Sequence, residues 1–203
     1  MDVRKWMIKK LVTITKNSSI REAIELMKKH SIRHLPVVDG SRLIGLVTEG
    51  DLRQAIIPSM LEEVSLKDIM TTNPITVSPD TSIDTAAKLI FKHKIGSLPV
   101  VGVGNRLLGI ITVTDILGAF IHIMGVLKSS SRVDIILSDK PHAFEEVSRI
   151  IKEHHAEIIS VGILPKRQGK KIYSFRLEKC HVTPIAQALA KHGHKVVSIS
   201  GRG

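Results

Sequence analysis

The 203-residue chain is short of aromatic side chains, at 3% with one Trp, one Tyr and four Phe, so its core is read as aliphatic. It holds one cysteine, Cys180, which excludes an internal disulfide and a CxxC metal or redox site. Cys180 falls in an expected strand-to-helix turn and is read as structural. Long apolar runs are missing too. The longest, Ile116 to Leu127, contains His122 and falls well short of the about 20 residues a membrane span needs. No secretory leader heads the sequence, and a cytoplasmic location with no membrane partner is expected. No activated Ser-His-Asp set, carboxylate pair or Walker loop appears, and Gly102-Val103-Gly104 lacks the rest of a GxGxxG fingerprint. The expectation is a protein that is not an enzyme. Two histidine pairs, His154-His155 and His192-Gly193-His194, lie outside any HExxH or Cys/His framework. They are read as helix-end residues favoured by the C-terminal dipole, with no metal expected.

Charge is present but diffuse. The net charge is +11, spread over both halves, and the densest basic stretch is Lys166-Arg167-Gln168-Gly169-Lys170-Lys171. One reading is attraction to polyanions or phosphorylated ligands. The other is a solvated basic surface, which an unclustered charge favours.

What the chain has in abundance is itself. His34 to Ala55 (HLPVVDGSRLIGLVTEGDLRQA) is echoed by Ser97 to Ala119 (SLPVVGVGNRLLGIITVTDILGA). Thr13 aligns with Thr76, Ala23 with Ala86, His30 with His93, and Leu35-Pro36-Val37-Val38 with Leu98-Pro99-Val100-Val101. After one extra residue in the second copy, Gly45, Thr48 and Asp51 align with Gly109, Thr112 and Asp115. An internal repeat fixes the architecture before anything else does. Trp6-Met7 likewise matches Ile69-Met70, so the repeat begins before the first expected strand.

Each copy reads as strand, helix, strand, strand, helix. In the first, these are Leu11–Ile14, a helix capped by Ser19 with Glu22 three residues on, Leu35–Val38, Leu43–Val47 after an Asp39-Gly40 turn, and Leu52–Ile57. In the second they are Ile75–Val77, Ser82–His93, Leu98–Val101, Leu107–Thr112 and a helix from Thr114 through Phe120, Met124 and Leu127. One copy leaves apolar surface bare, so two are expected to pack as one folding unit. Lys128-Ser129-Ser130-Ser131 reads as a linker. Beyond it come Val133–Leu137, a helix opened by Pro141, Ile158–Leu164, the basic loop, Ile172–Leu177, a helix opened by Pro184 and closed by Gly193, and Val196–Ile199. That βαββαβ order is the ferredoxin-like plan. The fold class is α+β, with repeats over 1–64 and 65–128 and a third domain over 131–203.

Chemistry centres on Gly45-Leu46-Val47-Thr48-Glu49-Gly50-Asp51 and Gly109-Ile110-Ile111-Thr112-Val113-Thr114-Asp115. A hydroxyl at a strand end beside a helix N-terminus suits phosphate, and an Asp there can accept from vicinal ribose hydroxyls. The structural alternative makes Thr48 and Thr112 N-caps with Asp51 and Asp115 charging the first turn. The doubled LPVV, GLVT and GIIT segments, with Asp68-Ile69-Met70-Thr71, resemble a pair of CBS (cystathionine-β-synthase) domains, a Bateman module, over about residues 1–125. The resemblance implies a pseudo-twofold unit with two clefts for AMP, ADP, ATP or S-adenosylmethionine. Carried onto these residues, one cleft has Thr48, Asp51, Arg33 and His34 near phosphate and adenine against Thr72, Ile75, Ile95 and Ser97. The other has Thr112 and Asp115, with adenine against Lys9, Val12, Ile32 and His34. Gly96 and Ser97 stand where the first copy has Arg33 and His34, so the first cleft is expected to hold phosphate more tightly.

The tail resembles an ACT domain through its element order and the Leu137-Ser138-Asp139-Lys140-Pro141 turn, although His142 replaces the usual Gly and disfavours amino-acid binding. Two CBS repeats followed by an ACT domain is an order similar to acetoin-utilisation proteins. The expected function is adenine-nucleotide sensing in a homodimer, passed to the ACT-like domain or to a regulated enzyme or transporter. The rivals are a basic nucleic-acid-binding regulator, which no helix-turn-helix or RNA motif supports, and a truncated relative of IMP dehydrogenase.

Overall fold

The computed structural model describes residues 1–55, 65–128, 130–165 and 169–201. The expected end of the first-copy helix at Ile56-Ile57, Ser129 of the linker and Lys166–Gln168 of the basic loop lie outside them. The chain divides into two compact units, Met1–Ala119 and Phe120–Gly203.

The first unit holds the repeat. Its first copy contains β1 (Ile14–Thr15), α1 (Ile20–His30), β2 (His34–Asp39), β3 (Arg42–Thr48) and α2 (Glu49–Ala55). Next come α3 (Leu66–Ile69) and β4 (Thr71–Thr72), then α4 (Ile83–His93), β5 (Ser97–Val101), β6 (Leu107–Thr112) and α5 (Val113–Ile123). The two copies use the same local devices. Ser19 caps α1 in a reciprocal box with Glu22, and Ser82 caps α4 by accepting from Thr85 N–H. Both helices stop at a left-handed residue, Ser31 and Lys94. Both hairpins, β2–β3 and β5–β6, shift register at the same place, after Val37 and after Val100.

Two differences from the sequence expectation are local. Leu11–Thr13 lie outside β1, whose two residues pair in parallel with Val37 and Val38. In the second copy Ile75 and Thr76 form no strand, and Val77 alone bridges Val100.

A larger finding concerns the lead-ins. The core of the first copy, around Ile20, Leu35, Val37, Val47 and Leu52, is completed by Leu66, Ile69 and Met70 from just before the second copy. The core of the second, around Ile83, Leu98, Val100 and Ile111, is completed by Val3, Trp6 and Met7 from just before the first. β4 pairs with β3 at Gly45 and Leu46, while Ile8 exchanges two backbone hydrogen bonds with Ile110, of 2.8 and 3.1 Å. The glycines shared by both copies have their reason here. A Cβ on Gly45 would stand 2.7 Å from Met70 Sδ and 3.2 Å from the Thr71 carbonyl oxygen. On Gly109 it would stand 2.8 Å from Met7 Sδ and 3.0 Å from the Ile8 carbonyl oxygen. Further ties between copies are Asn105 Nδ2 donating to the Leu43 carbonyl at 2.7 Å and Leu107 N–H to the Ser41 carbonyl at 2.9 Å.

The second unit contains β7 (Ser130–Ile136), α6 (Ala143–Glu153), β8 (Ile158–Pro165), β9 (Lys171–Glu178), α7 (Val182–Lys191) and β10 (Lys195–Ser200). The sheet runs β10-β7-β9-β8 with every pair antiparallel, the ferredoxin-like topology. Val133, Ile135, Phe175 and Leu177 meet Val147, Ile150, Ile151, Ile185 and Leu189 from α6 and α7. On the other face, Asp134 is buried. Burial alone would raise its pKa, but hydrogen bonds from Ser174 and Ser198 and the guanidiniums of Arg132 and Arg176 hold it below the usual carboxylate range.

Here too the structure corrects expectations. Ser130 and Ser131 are not linker but the start of β7. The buried Ser131 hydroxyl donates to the Cys180 carbonyl at 3.0 Å and accepts from Cys180 N–H at 3.1 Å. Polar composition suggested a linker, whereas satisfied hydrogen bonding lets serine sit inside. α5 stops at Ile123 rather than continuing through Leu127, and α6 begins at Ala143, two residues after Pro141. No helix among the described residues is long and apolar enough to cross a membrane.

Leu66 is fully buried in the first copy's core despite preceding the second copy. Leu66→Ala is expected to cost about 2–5 kcal/mol in denaturant unfolding. Native-state hydrogen exchange should show the loss of protection first at Leu35 and Val47. Loss confined to α4, β5 and β6 would contradict the crossed packing.

Candidate functional site

The Thr–Asp pairs are set by strand ends that run directly into helices. Thr48 closes β3 and Glu49 opens α2, while Thr112 closes β6 and Val113 opens α5. In each copy the Asp turns back onto the Thr. Asp51 Oδ2 accepts from Thr48 N–H and from its hydroxyl, both at 2.8 Å, and Asp51 N–H donates to Thr48 Oγ1 at 3.3 Å. Asp115 Oδ2 does the same at 2.8 and 2.7 Å, with the return bond at 3.3 Å. The structural alternative stated for these residues is therefore present as a reciprocal capping box. It also holds each carboxylate at a helix start with Oδ2 committed.

The strand register carries the next residues. His34 stands opposite Thr48, and Ser97 opposite Thr112. The carbonyl of Arg33 accepts from Glu49 N–H and that of Gly96 from Val113 N–H, so both positions are tied to the helix starts. The crossed lead-ins add the remainder. Thr72, exposed, pairs with Gly45 on the strand that ends in Thr48. Lys9, exposed, follows Ile8, which pairs with Ile110 on the strand that ends in Thr112. Ile75 and Ile95 are half-buried against the second core, and Val12 and Ile32 against the first.

His34 links the copies. A Cβ on Gly96 would meet its Nε2 at 2.5 Å and its Cε1 at 3.0 Å, so the ring lies directly over Gly96. The imidazole pKa is lowered, first by burial and then by Arg33, against an opposing pull from Asp51. Ser97, at its equivalent in the second copy, is 2% exposed and its hydroxyl has no partner among the described residues.

In the second unit a concavity of about 490 Å³ opens between the β7–α6 turn and the start of β9. Ser138, Lys140, His142, Phe144, Lys171 and Tyr173 are among its lining residues. Nothing in the sequence pointed to its apolar wall, made by Phe144 and Tyr173 with ring centroids 6.1 Å apart. His142 has φ +60°, the left-handed conformation that glycine adopts most readily. The residue is not glycine, yet its backbone has the conformation glycine adopts most readily. Three of the four side chains in the two histidine pairs bond locally through their rings. His154 and His192 bond back to the carbonyls of Ile150 and Ala188 through Nδ1. Buried His194 accepts from Ser138 N–H at Nδ1, which makes Nε2 the donor to Glu146 at 3.1 Å.

Comparison with known proteins bears on the first unit. The sequence model of the CBS domain matches residues 2–58 and 66–122, more than half of the chain. The CBS pair of protein MJ0100, solved with 5′-methylthioadenosine and S-adenosyl-L-methionine, is 35% identical over 59% of this chain and 95% of that one, with a TM-score of 0.55. CBSX2 of Arabidopsis thaliana, solved with AMP, is 27% identical over 60% and 97%, also at 0.55. An acetoin utilization protein (AcuB) of Vibrio cholerae is 33% identical over 62% and 94%, at 0.56. Among curated relatives the chain matches inosine-5′-monophosphate dehydrogenases and homoserine O-acetyltransferases of archaea, spanning 22% to 30% of the length of the first of these.

His142→Gly is expected to raise unfolding stability by about 1 kcal/mol, because a left-handed residue with a Cβ is strained by an amount of that order. Denaturant titration measures it, and a loss of stability would show that His142 makes a compensating contact.

Proposed function

The chain belongs to the CBS domain family, and from that premise we propose that it is a cytoplasmic, non-enzymatic regulator that senses adenine nucleotides. The observation that carries the reading is the Thr–Asp pair repeated with the same geometry at two helix starts. In the proposed bound state the second carboxylate oxygen of Asp51 takes the ribose hydroxyls. The Thr48 hydroxyl, the N-terminal amides of α2, Arg33 and His34 take the phosphate. Thr72, Ile75, Ile95 and Ser97 wall the adenine. Thr112 and Asp115 repeat the ribose half of this arrangement, with Lys9, Val12, Ile32 and His34 along the base. AMP, ADP, ATP and S-adenosylmethionine are the candidate ligands, supported by the adenosine compounds held by the related CBS pairs.

Output is proposed to run through α5, whose N-terminus carries Asp115 and whose last turn lies beyond the Ala119 division. The second unit is read as ACT-like on its ferredoxin-like sheet and is proposed to pair in a homodimer or to engage a regulated enzyme or transporter. A ligand biases such an output only by binding one arrangement more tightly than the other.

Calorimetric titration of the chain with AMP, ADP, ATP and S-adenosylmethionine tests the reading. Asp51→Ala is expected to weaken AMP by about tenfold or more, the scale of a charged hydrogen bond, and Asp115→Ala much less. Silence from all four ligands would overturn it. NMR titration of His34 gives a second check. Its imidazole should titrate below the ordinary histidine value when free, and saturating AMP should raise it, since an adjacent phosphate favours the charged ring. No upward movement would remove His34 from the phosphate.

A further inference from the structure

We propose that the two clefts take different ligand classes: a phosphorylated adenosine beside Thr48–Asp51, and an adenosine with no phosphate at its 5′ position beside Thr112–Asp115. This rests on reading the clefts as adenosine sites. The ribose end does not distinguish them, because the Thr–Asp geometry is the same in both copies to within 0.1 Å. The difference lies one strand across. The register sets His34, preceded by Arg33, opposite Thr48, and sets Ser97, preceded by Gly96, opposite Thr112.

A 5′-phosphate in the first cleft meets a guanidinium and an imidazole. In the second it would meet a glycine and a buried neutral hydroxyl, and would surrender hydration with no cation to replace it. Lys9 does not supply that cation, since it comes from the lead-in that lies along the base side in the proposed arrangement. Ser97 Oγ is buried and has no hydrogen-bond partner among the described residues, so this position offers a phosphate neither charge nor an exposed donor.

Packing enforces the inequality. The His34 ring occupies the space that any side chain at position 96 would need, with Nε2 2.5 Å from where its Cβ would stand. The imidazole of one cleft thus occupies the space beside the matching position of the other. A substitution restoring Arg at position 96 would have to displace His34 first.

The test uses AMP and 5′-methylthioadenosine, an adenosine whose 5′ substituent is uncharged, titrated into the full chain. Each should bind at one equivalent, and saturation with AMP should leave the methylthioadenosine titration intact. Asp51→Ala should weaken AMP by about tenfold or more, and Asp115→Ala should do so to methylthioadenosine. Because either change removes a helix cap, a second variant is needed. Arg33→Gly gives the first cleft the glycine of the second and leaves in place His34, which also lies along the base of the second cleft. It should weaken AMP and raise methylthioadenosine from one equivalent to two. Competition between the ligands, two equal AMP sites, or AMP binding with no methylthioadenosine site would overturn the proposal while leaving the adenosine reading standing. No binding by either compound would overturn both.

Discussion

The close approach of the two lead-ins to β3 and β6 is the constraint on which the first unit depends. Each lead-in crosses to the other copy and lays its backbone against a glycine, Thr71 against Gly45 and Ile8 against Gly109. A side chain at either glycine would force the crossing segment away, and with it Leu66 and Met70 from one core or Val3 and Met7 from the other. The same crossing brings Thr72 to the strand that carries Thr48 and Lys9 to the strand that carries Thr112. Core assembly and cleft assembly are therefore one event. Neither copy has a complete core without the segment that also brings Thr72 or Lys9 beside a Thr–Asp strand.

Stability and recognition share residues at the helix starts as well. Thr48 and Thr112 spend their hydroxyl protons on Asp51 and Asp115. A phosphate that took the Thr hydroxyl would take it from the cap, whose loss costs about 0.5–2 kcal/mol. A ligand that uses only the second carboxylate oxygen leaves the cap whole. The ribose contact is thus compatible with the ligand-free geometry in both copies, whereas the phosphate contact competes with it. In the proposed arrangement that competition would be offset only in the first copy, where Arg33 and His34 stand beside Thr48.

Much of this was legible in local sequence. The capping residues Ser19 and Ser82, the hairpins, the βαββαβ order and Gly193 after α7 follow from short-range rules, and the structure contains them. The exchange of lead-ins was not legible, because the matching of Trp6-Met7 with Ile69-Met70 says that the segments are equivalent without saying which core each joins. The one available signal was Gly45 and Gly109, placed inside apolar strands where glycine is otherwise a weakening choice. Ser130 and Ser131 misled for the opposite reason. A serine string reads as solvent-exposed, and only the partner Cys180, far along the chain, makes Ser131 a buried residue. The contact of His34 with Gly96 was equally hidden, since it joins positions with no periodic relation.

The inequality of α2 and α5 bears on how occupancy of a cleft reaches the rest of the chain. Asp115 sits in the first turn of an 11-residue helix that passes the division at Ala119, whereas Asp51 opens a seven-residue helix belonging wholly to the first unit. In the proposed reading α5 is the element that would carry a change at Asp115 toward Ile123. On the same reading a change at Asp51 would first pass to the second copy, and His34 over Gly96 is one contact between the copies that lies beside the site. In the proposed bound state, drawing His34 toward a phosphate would alter the wall beside Gly96, whose carbonyl accepts from Val113 N–H at the start of α5. His34 thus stands over Gly96, the residue tied to the start of α5. In the proposed reading differential binding at either cleft would bear on the same helix, directly from Asp115 and through one imidazole from Asp51.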